Sequence, residues 1–472
     1  MKRFLALLAF VISGLISAPP VVVANDIQTG IYHLLGQARP GTNIGMIVTQ
    51  VSSGRVLFAQ RADYLFGPAS VLKLFTAVAA LHFLKPDFHF NTSLLTNGSV
   101  KNHILYGDLF VKFSGDPELT TADVNNLITK LAQIGVQEIT GHVYIDNTDY
   151  SFVPYPPGWL WDDLSYGYAA PLNAVIIDRN KFILHLEPSK QDHAQPKLSP
   201  IIPAGVAHFI NDAQTTAHNE KGCPLTIYSD LNSNYHVSGC ISRIWSKQRR
   251  TLAVRDPFIY ARVLIATALQ KDHIRYAGNI TARAATATMN VLVQHQSPSL
   301  AIMLREMLKK SDNLTTDSLL KKIGQLYFKQ PGSWQNGLAA LKKILSPTGI
   351  DFKKCLINDG AGLSRYNLIT PAQFAALLNF AYRDSNIINA LWPALPIAGQ
   401  DGTLAGRMQP VAAGGRVHAK TGTMTGISAL AGYINTKHHG MLSFAIMVNG
   451  FVGKDRPFKH LQDQICEYLI TN

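Results

Sequence analysis

Three short stretches of the chain hold side chains that together could carry out acyl transfer. Ser70-Val71-Leu72-Lys73 sets a hydroxyl three residues before an amine. Residues i and i+3 share a helix face, so the amine can reach the hydroxyl and take its proton. Ser311-Asp312-Asn313 adds a second hydroxyl and an amide, and Lys420-Thr421-Gly422-Thr423 adds a cation flanked by hydroxyls. Each motif alone is common by chance. Their order along one chain, each in a fitting local context, is the signal. Ser70 is the candidate nucleophile and Lys73 its base. An unperturbed lysine, with a pKa of about 10.4, is neutral in only about four copies in ten thousand at pH 7. Burial and a neighbouring cation, for which Lys420 is the candidate, would lower that pKa.

The remaining residues take supporting roles. Ser311 can relay the proton to a leaving amine. Asn313 carries both a donor and an acceptor for a substrate amide; alternatively it caps the helix that Leu314-Thr315-Thr316 begins. Lys420, Thr421 and Thr423 suit a terminal carboxylate. Gly422 has no side chain, so a substrate backbone can approach the strand closely. The backbone N–H groups of Ser70 and Thr423 would form an oxyanion hole. A P-loop is excluded, because Ala419 stands where that motif needs glycine and a strand follows Lys420.

The periodicities supply elements to position these groups. Residues 41–60 alternate around Ser52-Ser53-Gly54 and predict a hairpin. A helix over 70–84, ended by Pro86, is apolar nearly all round and must be buried; His82 on it reads as a packed histidine rather than a ligand. Helices are predicted over 299–328, broken at 311–313, and over 334–346, 371–382 and 457–470. Strands are predicted over 416–421, 427–435 and 441–449, the last two joined by a turn at Lys437-His438-His439-Gly440. The stretch from about 90 to 290 is rich in β-branched residues and prolines, with one helix near 122–134. It reads as a mainly β insert with its own core, divided into two subdomains. The expected fold class is therefore α+β. One antiparallel sheet is built from both chain ends (25–90 and 290–472) around a buried helix, with residues 91–289 inserted.

The 472 residues are 47% hydrophobic and 15% charged, enough for a sizeable core and too apolar for disorder. Residues 1–24 read as a signal peptide. Lys2-Arg3 precedes an apolar run from Phe4 to Ile16, and Val22-Val23-Ala24 precedes the cut; the competing reading is an uncleaved anchor. Removing Lys2 and Arg3 from the formal +13 leaves +11, spread as scattered basic pairs. That pattern argues against nucleic acid. It suits either attraction to an anionic cell wall or membrane surface, or simple solubility. Cys223 and Cys240 are close enough in sequence to close a local loop, while Cys355 and Cys466 lie far apart; spacing alone does not pair them. No zinc-binding spacing occurs, and no metal or other cofactor is expected.

With Ser70-x-x-Lys73, Ser311-x-Asn313 and Lys420-Thr421-Gly422 in order, the chain resembles a known family. It is that of the low-molecular-mass class C penicillin-binding proteins (penicillin-binding protein 4 type), which are D-alanyl-D-alanine carboxypeptidases and endopeptidases. The 241 residues from Ser70 to Ser311 are similar to that family's insert and too many for a class A β-lactamase; 109 more lead to Lys420. Further matching segments are Gly107-Asp108-Leu109, Gly115-Asp116-Pro117, Pro157 to Asp163, Asp178-Arg179-Asn180, Asp359-Gly360 with Gly362 to Arg365, and Asp401 to Leu404. The resemblance implies a transpeptidase-like (β-lactamase-like) domain. It also implies a periplasmic enzyme acting on peptidoglycan stem peptides and cross-links through a Ser70 acyl-enzyme, and inhibition by β-lactam antibiotics. It further implies that Asp163 meets the amino group of the diaminopimelate side chain, where a plain turn aspartate is the other reading, and that Cys223 pairs with Cys240. Ala361 departs from the family, which usually has serine there. A β-lactamase on the same scaffold and a non-catalytic penicillin sensor remain alternatives. No dedicated deacylating glutamate motif follows Ser70, and a pure sensor has no need of Lys73.

Overall fold

A computed structural model describes residues 26–408 and 415–472; the proposed signal peptide at 1–24 lies outside the described residues. The first helix, α1 (Asp26–Gly36), leads into the hairpin β1 (Asn43–Gln50) and β2 (Val56–Gln60), with Gly54 at φ 75° in the turn. The Ser70 segment opens as a 3-10 turn, Ala69–Leu72, and continues as α2 (Lys73–Leu84). Every residue of α2 from Lys73 to Leu81 is buried, which is what its all-round apolar sequence requires. The chain returns to this core as α3 (Leu300–Lys310) and α4 (Asn313–Phe328), then helices Trp334–Ile344 and Pro371–Arg383. Strands β3 (Val417–Met424), β4 (Ile427–Asn435) and β5 (Met441–Asn449) follow, and α5 (Arg456–Thr471) closes the chain.

The sheet runs β2-β1-β5-β4-β3, antiparallel throughout. β1 lies against β5 from Asn43↔Asn449 to Gln50↔Leu442, so residues some 400 apart in sequence share a ladder. One face packs on α1 and α5 through Ile31, Met46, Phe444 and Ile465. The other packs on the helical layer around α2 through Phe75, Leu319, Phe374 and Met447. β3 is the outer strand; its start is paired with residues 396–398, and its edge from Lys420 onward has no strand partner among the described residues. His82 is half-buried, with its ring set edge-on to Phe380.

The intervening segment departs from its sequence reading in two ways. It holds two helices rather than one, Thr121–Gln133 and Pro257–Lys271. The second was hidden by its β-branched and aromatic residues. Its signal is Asp256-Pro257: Asp256 accepts from the N–H groups of Phe258 and Ile259, and Pro257 occupies the first turn. The expected boundary at 289 also cuts a strand from its sheet, because Asn290–Gln296 pairs with Asn91–Thr96. A five-stranded mixed sheet links these two strands to Leu109–Lys112, Val143–Asp146 and Ile280–Ala282. A smaller all-β part holds Lys181–Glu187, Gln248–Ala253 and Asn234–Ser238. One apolar cluster joins both parts through Leu109, Ile177, Leu184 and Leu264. Cys223 and Cys240 form a disulfide in the all-β part, with Cα atoms 5.3 Å apart, and Cys355 and Cys466 are free and buried.

Candidate active site

Gly67-Pro68 turns the chain off β2 and sets Ala69 at φ 47°, a conformation non-glycine residues rarely adopt. The 3-10 turn that follows eclipses residues i and i+3. Ser70 and Lys73 therefore stand side by side, with Nζ of Lys73 3.0 Å from Oγ of Ser70. The same Nζ donates to Oδ1 of Asn313 at 2.6 Å and to the carbonyl of Ala361 at 2.7 Å. Three acceptors thus converge on an amine that is fully buried. Among the described residues no carboxylate lies within ion-pair distance of Lys73. Burial brings its pKa down to about 8, against the pull of Asp317, Asp359 and Asp312.

Ser311 ends α3 in the left-handed region at φ 58°. Asp312, not Asn313, caps α4, its carboxylate accepting from the N–H of Thr315 at 2.9 Å. The capping alternative for Asn313 is therefore corrected: shorter by one position, the cap leaves the Asn313 amide free for Lys73 on one side and the carbonyl of Tyr168 on the other, at 2.8 Å. Asp312 is in turn gripped by Lys181 at 3.2 Å and Arg179 at 3.7 Å, and Arg179 forks onto Glu118. Burial would raise the Asp312 carboxyl, but Lys181, Arg179 and the Thr315 donors hold it below its usual range. The hydroxyl of Ser311 carries no intramolecular hydrogen bond among the described residues.

Lys420, Thr421, Gly422 and Thr423 lie on β3, paired with Ala431, Leu430, Ala429 and Ser428. A Cβ on Gly422 would sit 2.7 Å from the carbonyl of Pro68 and 3.0 Å from the N of Ser70. The glycine thus lets the strand lie directly against the nucleophile turn. Lys420 is fully buried and donates to the carbonyl of Thr421 at 2.7 Å; burial and the charge of Lys73 push its pKa well down. Thr421 Oγ1 donates to Oγ1 of Thr403 at 2.7 Å, and Thr423 is exposed. Asp163 lies on the 3-10 turn Trp161–Asp163 and accepts from the Tyr168 hydroxyl at 2.6 Å. It is joined to the cleft through Tyr168 and Asn313.

The floor of the site is a segment that matches the family at Asp359-Gly360 and Gly362 but carries none of the three motifs. Residues 359–362 form a loop beneath Lys73. Asp359 accepts from the N–H groups of Gly362 and Ser364 and from the indole of Trp159; Asp317 accepts from those of Gly360 and Ala361. Asp317 had one legible signal, its position one helical turn beyond Asn313. Ala361 acts through its backbone carbonyl, so alanine in place of the family's serine leaves the contact with Lys73 intact. Among the described residues one cluster gathers three residues of metal-ligating type, Glu220, Cys223 and Cys240; its sulfurs are spent in the disulfide.

A buried lysine against a serine at a helix start, facing the free edge of an antiparallel sheet between two helical layers, defines serine acyl hydrolases of the penicillin-binding, transpeptidase-like fold. The chain belongs to the D-Ala-D-Ala carboxypeptidase 3 (S13) family, whose model matches residues 28–470. It is a serine hydrolase of the DD-peptidase kind. It is 31% identical over 432 residues to D-alanyl-D-alanine carboxypeptidase DacB of Haemophilus influenzae, covering 91% of this chain and 90% of that one. The crystal structure of penicillin binding protein 4 from the same organism matches with a TM-score of 0.87 and 30% identity, covering 94% of this chain and 99% of that one. Its complex with a β-lactam matches with a TM-score of 0.82 and 29% identity, covering 94% and 100%.

Proposed function

We propose that the enzyme cleaves D-alanyl-D-alanine bonds of peptidoglycan stem peptides through an ester on Ser70. The observation that carries this reading is the 3.0 Å contact between Ser70 Oγ and a buried Lys73 amine with a depressed pKa. With a pKa of about 8, roughly a tenth of Lys73 is neutral at pH 7, against about four in ten thousand for a free lysine. Neutral Lys73 takes the proton of Ser70 as Oγ bonds to the penultimate D-Ala carbonyl. The C–N bond then breaks, and the proton passes from Lys73 through Ser311 to the departing nitrogen. Water attacks the ester, and Ser70 recovers its proton. The N–H groups of Ser70 and Thr423 hold the oxyanion. Asn313 binds the substrate amide, and Lys420, Thr421 and Thr423 take the terminal carboxylate, whose charge favours a protonated Lys420. Asp163, beside the exposed Tyr168, meets the diaminopimelate amine.

Export to the periplasm is part of this reading. It is supported by the composition of residues 1–24 and by the Cys223–Cys240 bond, which suits an oxidising compartment. No described helix is long and apolar enough to cross a membrane. A cavity of about 750 Å³ lined by Arg39, Arg407, Lys454, Arg456, Lys459 and His460, with one acid, Asp463, paired to Arg407, supports attachment to an anionic surface. Co-sedimentation with phosphatidylglycerol vesicles that is lost at high salt is the expected result, and no binding at low salt rejects the attachment.

Intact-mass spectrometry with benzylpenicillin, beside Ser70→Ala, tests the central reading. A long-lived adduct on wild type and none on the variant is expected. Absence of an adduct with penicillin consumed would point to a β-lactamase, and with penicillin intact to a sensor; either overturns the reading.

A further inference from the structure

Asp317 is a carboxyl group that no catalytic motif contains, yet it lies behind the base. It sits on α4 one turn beyond Asn313 and is 1% exposed. Its Oδ1 accepts from the N–H of Gly360 at 2.7 Å and of Ala361 at 3.1 Å, while Oδ2 is buried without a partner. The carbonyls of the same two residues point the other way. That of Gly360 accepts from Thr76 Oγ1 at 3.0 Å, and that of Ala361 accepts from Lys73 Nζ at 2.7 Å. The peptide groups of 360 and 361 are therefore held by α4 through their N–H groups and by α2 through their carbonyls. The fit leaves no room for a side chain: a Cβ on Gly360 would meet Thr76 Oγ1 at 2.8 Å and Asp317 Oδ1 at 3.1 Å.

Two consequences follow from this geometry. The Ala361 carbonyl is one of three acceptors that hold Lys73 Nζ on Ser70, and Asp317 fixes its direction. The carbonyl of Ala361 belongs to the peptide whose N–H is that of Gly362, and that N–H donates to Asp359 at 2.8 Å; Asp317 holds the two N–H groups before it. Among the described residues no carboxylate touches Lys73, and Asp317 is the one whose charge most favours its ammonium, acting through space ahead of Asp359 and Asp312. We infer that Asp317 is a positioning residue for acylation: it orients the Gly360–Ala361 peptides beneath Lys73 and supplies the counter-charge for the buried ammonium. This rests on the reading that Ser70 is acylated with Lys73 as base.

The charged groups around the pair come from several elements. Lys321 belongs to α4 and Asp312 caps it, Asp359 belongs to the loop, Lys73 to α2 and Lys420 to β3, where the charge of Lys73 lowers it. Burial and Asp359 raise the Asp317 carboxyl well above its usual range, against the pull of Lys73 and the two N–H donors toward the ionised form. Among these groups it is the Lys73 ammonium whose charge favours the carboxylate, so each charge favours the other. Removing that negative charge makes the ammonium less stable, so a neutral Lys73 persists to lower pH.

The experiment measures the benzylpenicillin acylation rate against pH for the wild type and three variants, with thermal melts as a check on folding. Asp317→Asn keeps an acceptor for the two N–H groups and removes the charge. Its acid limb is expected to move down by about one pH unit or more, with less than tenfold change at the plateau. Asp317→Ala also removes the clamp, and its rate is expected to fall more than a hundredfold at every pH. Asp317→Glu retains the charge and is expected to keep the wild-type limb; it carries the test if the asparagine variant does not fold. A folded Asp317→Asn with an unmoved limb, an Asp317→Ala at wild-type rate, or an Asp317→Glu with a displaced limb would each overturn the inference. Acylation of Ser70→Ala would instead overturn the reading beneath it, so the two failures are distinguishable.

Discussion

Helix α4 faces two regions that treat buried lysines in opposite ways. On the cleft side, Lys73 and Lys420 are fully buried and their nitrogens contact hydroxyl, amide and carbonyl oxygens, with no carboxylate at ion-pair distance among the described residues. On the side facing the intervening segment, Lys322 is buried but paired with Asp149 at 3.1 Å, and Lys112 adds a weaker contact at 3.7 Å. Burial would raise Asp149, but Lys322, Gln325 and Lys112 hold it below its usual range. A buried charge in direct contact with its counter-ion acts as a structural tie; one whose counter-charges stand out of contact titrates readily and can act as a base. Lys321 separates these causes. Burial brings it to about 7, yet its neighbours are the carbonyls of Val153 and Leu172 and the face of Trp334, with no nucleophile beside it. A lowered pKa therefore marks burial, and only the adjacent Ser70 hydroxyl turns it into chemistry.

The comparison can be broken first at Lys73. Lys73→Ala should lower the benzylpenicillin acylation rate by about a thousandfold, within the range that a general base contributes, while the melting curve stays close to wild type. A rate loss that tracks a loss of folding would place Lys73 among the structural lysines. At the seam the outcome should invert. Lys322→Ala leaves Asp149 buried with only Lys112 nearby, which should cost about 3 kcal/mol in denaturant unfolding. Acylation of the remaining folded protein should be unchanged; a specific loss of rate there would erase the distinction. The smallest effect is on pH. Because folding lowers Lys73 to about 8, the neutral base is scarce below that value. Wild-type acylation should rise about tenfold per pH unit up to about 8 and then level off. A limb near 10 would mean that burial does not tune this amine.

Much of the cleft was legible from the chain. Ser70-x-x-Lys73 and Lys420-Thr421-Gly422 are local statements: one needs only a helical turn, the other only an extended strand with a side-chain-free position. The break at 311–313 was also local, since left-handed Ser311 and the cap that follows interrupt the helical pattern. Three features were hidden. The Asp312 cap competed with Asn313 for the same role, and adjacent residues of similar capping propensity are not separable by pattern. The helix Pro257–Lys271 was masked by residues that favour strands, although Asp256-Pro257 marked its start. The loop under Lys73 was visible as a family match at Asp359-Gly360 and Gly362, but its contact with Lys73 is made by the Ala361 backbone carbonyl, which leaves no trace in side-chain identity.

The sequence by itself determined the nucleophile pair, the apolar helix that must be buried, the strands that close the sheet and the order of the three motifs, because each is set by neighbours within a turn or a strand. Only the tertiary structure decided that Asn313, from 240 residues away, and Ala361, from 288 away, share the amine of Lys73. It also decided that Gly422 abuts the Ser70 turn and that Asp317 grips the loop between them. Those contacts depend on how α2, α4 and β3 pack. The environment that depresses the Lys73 pKa is a property of that packing rather than of any segment of the chain.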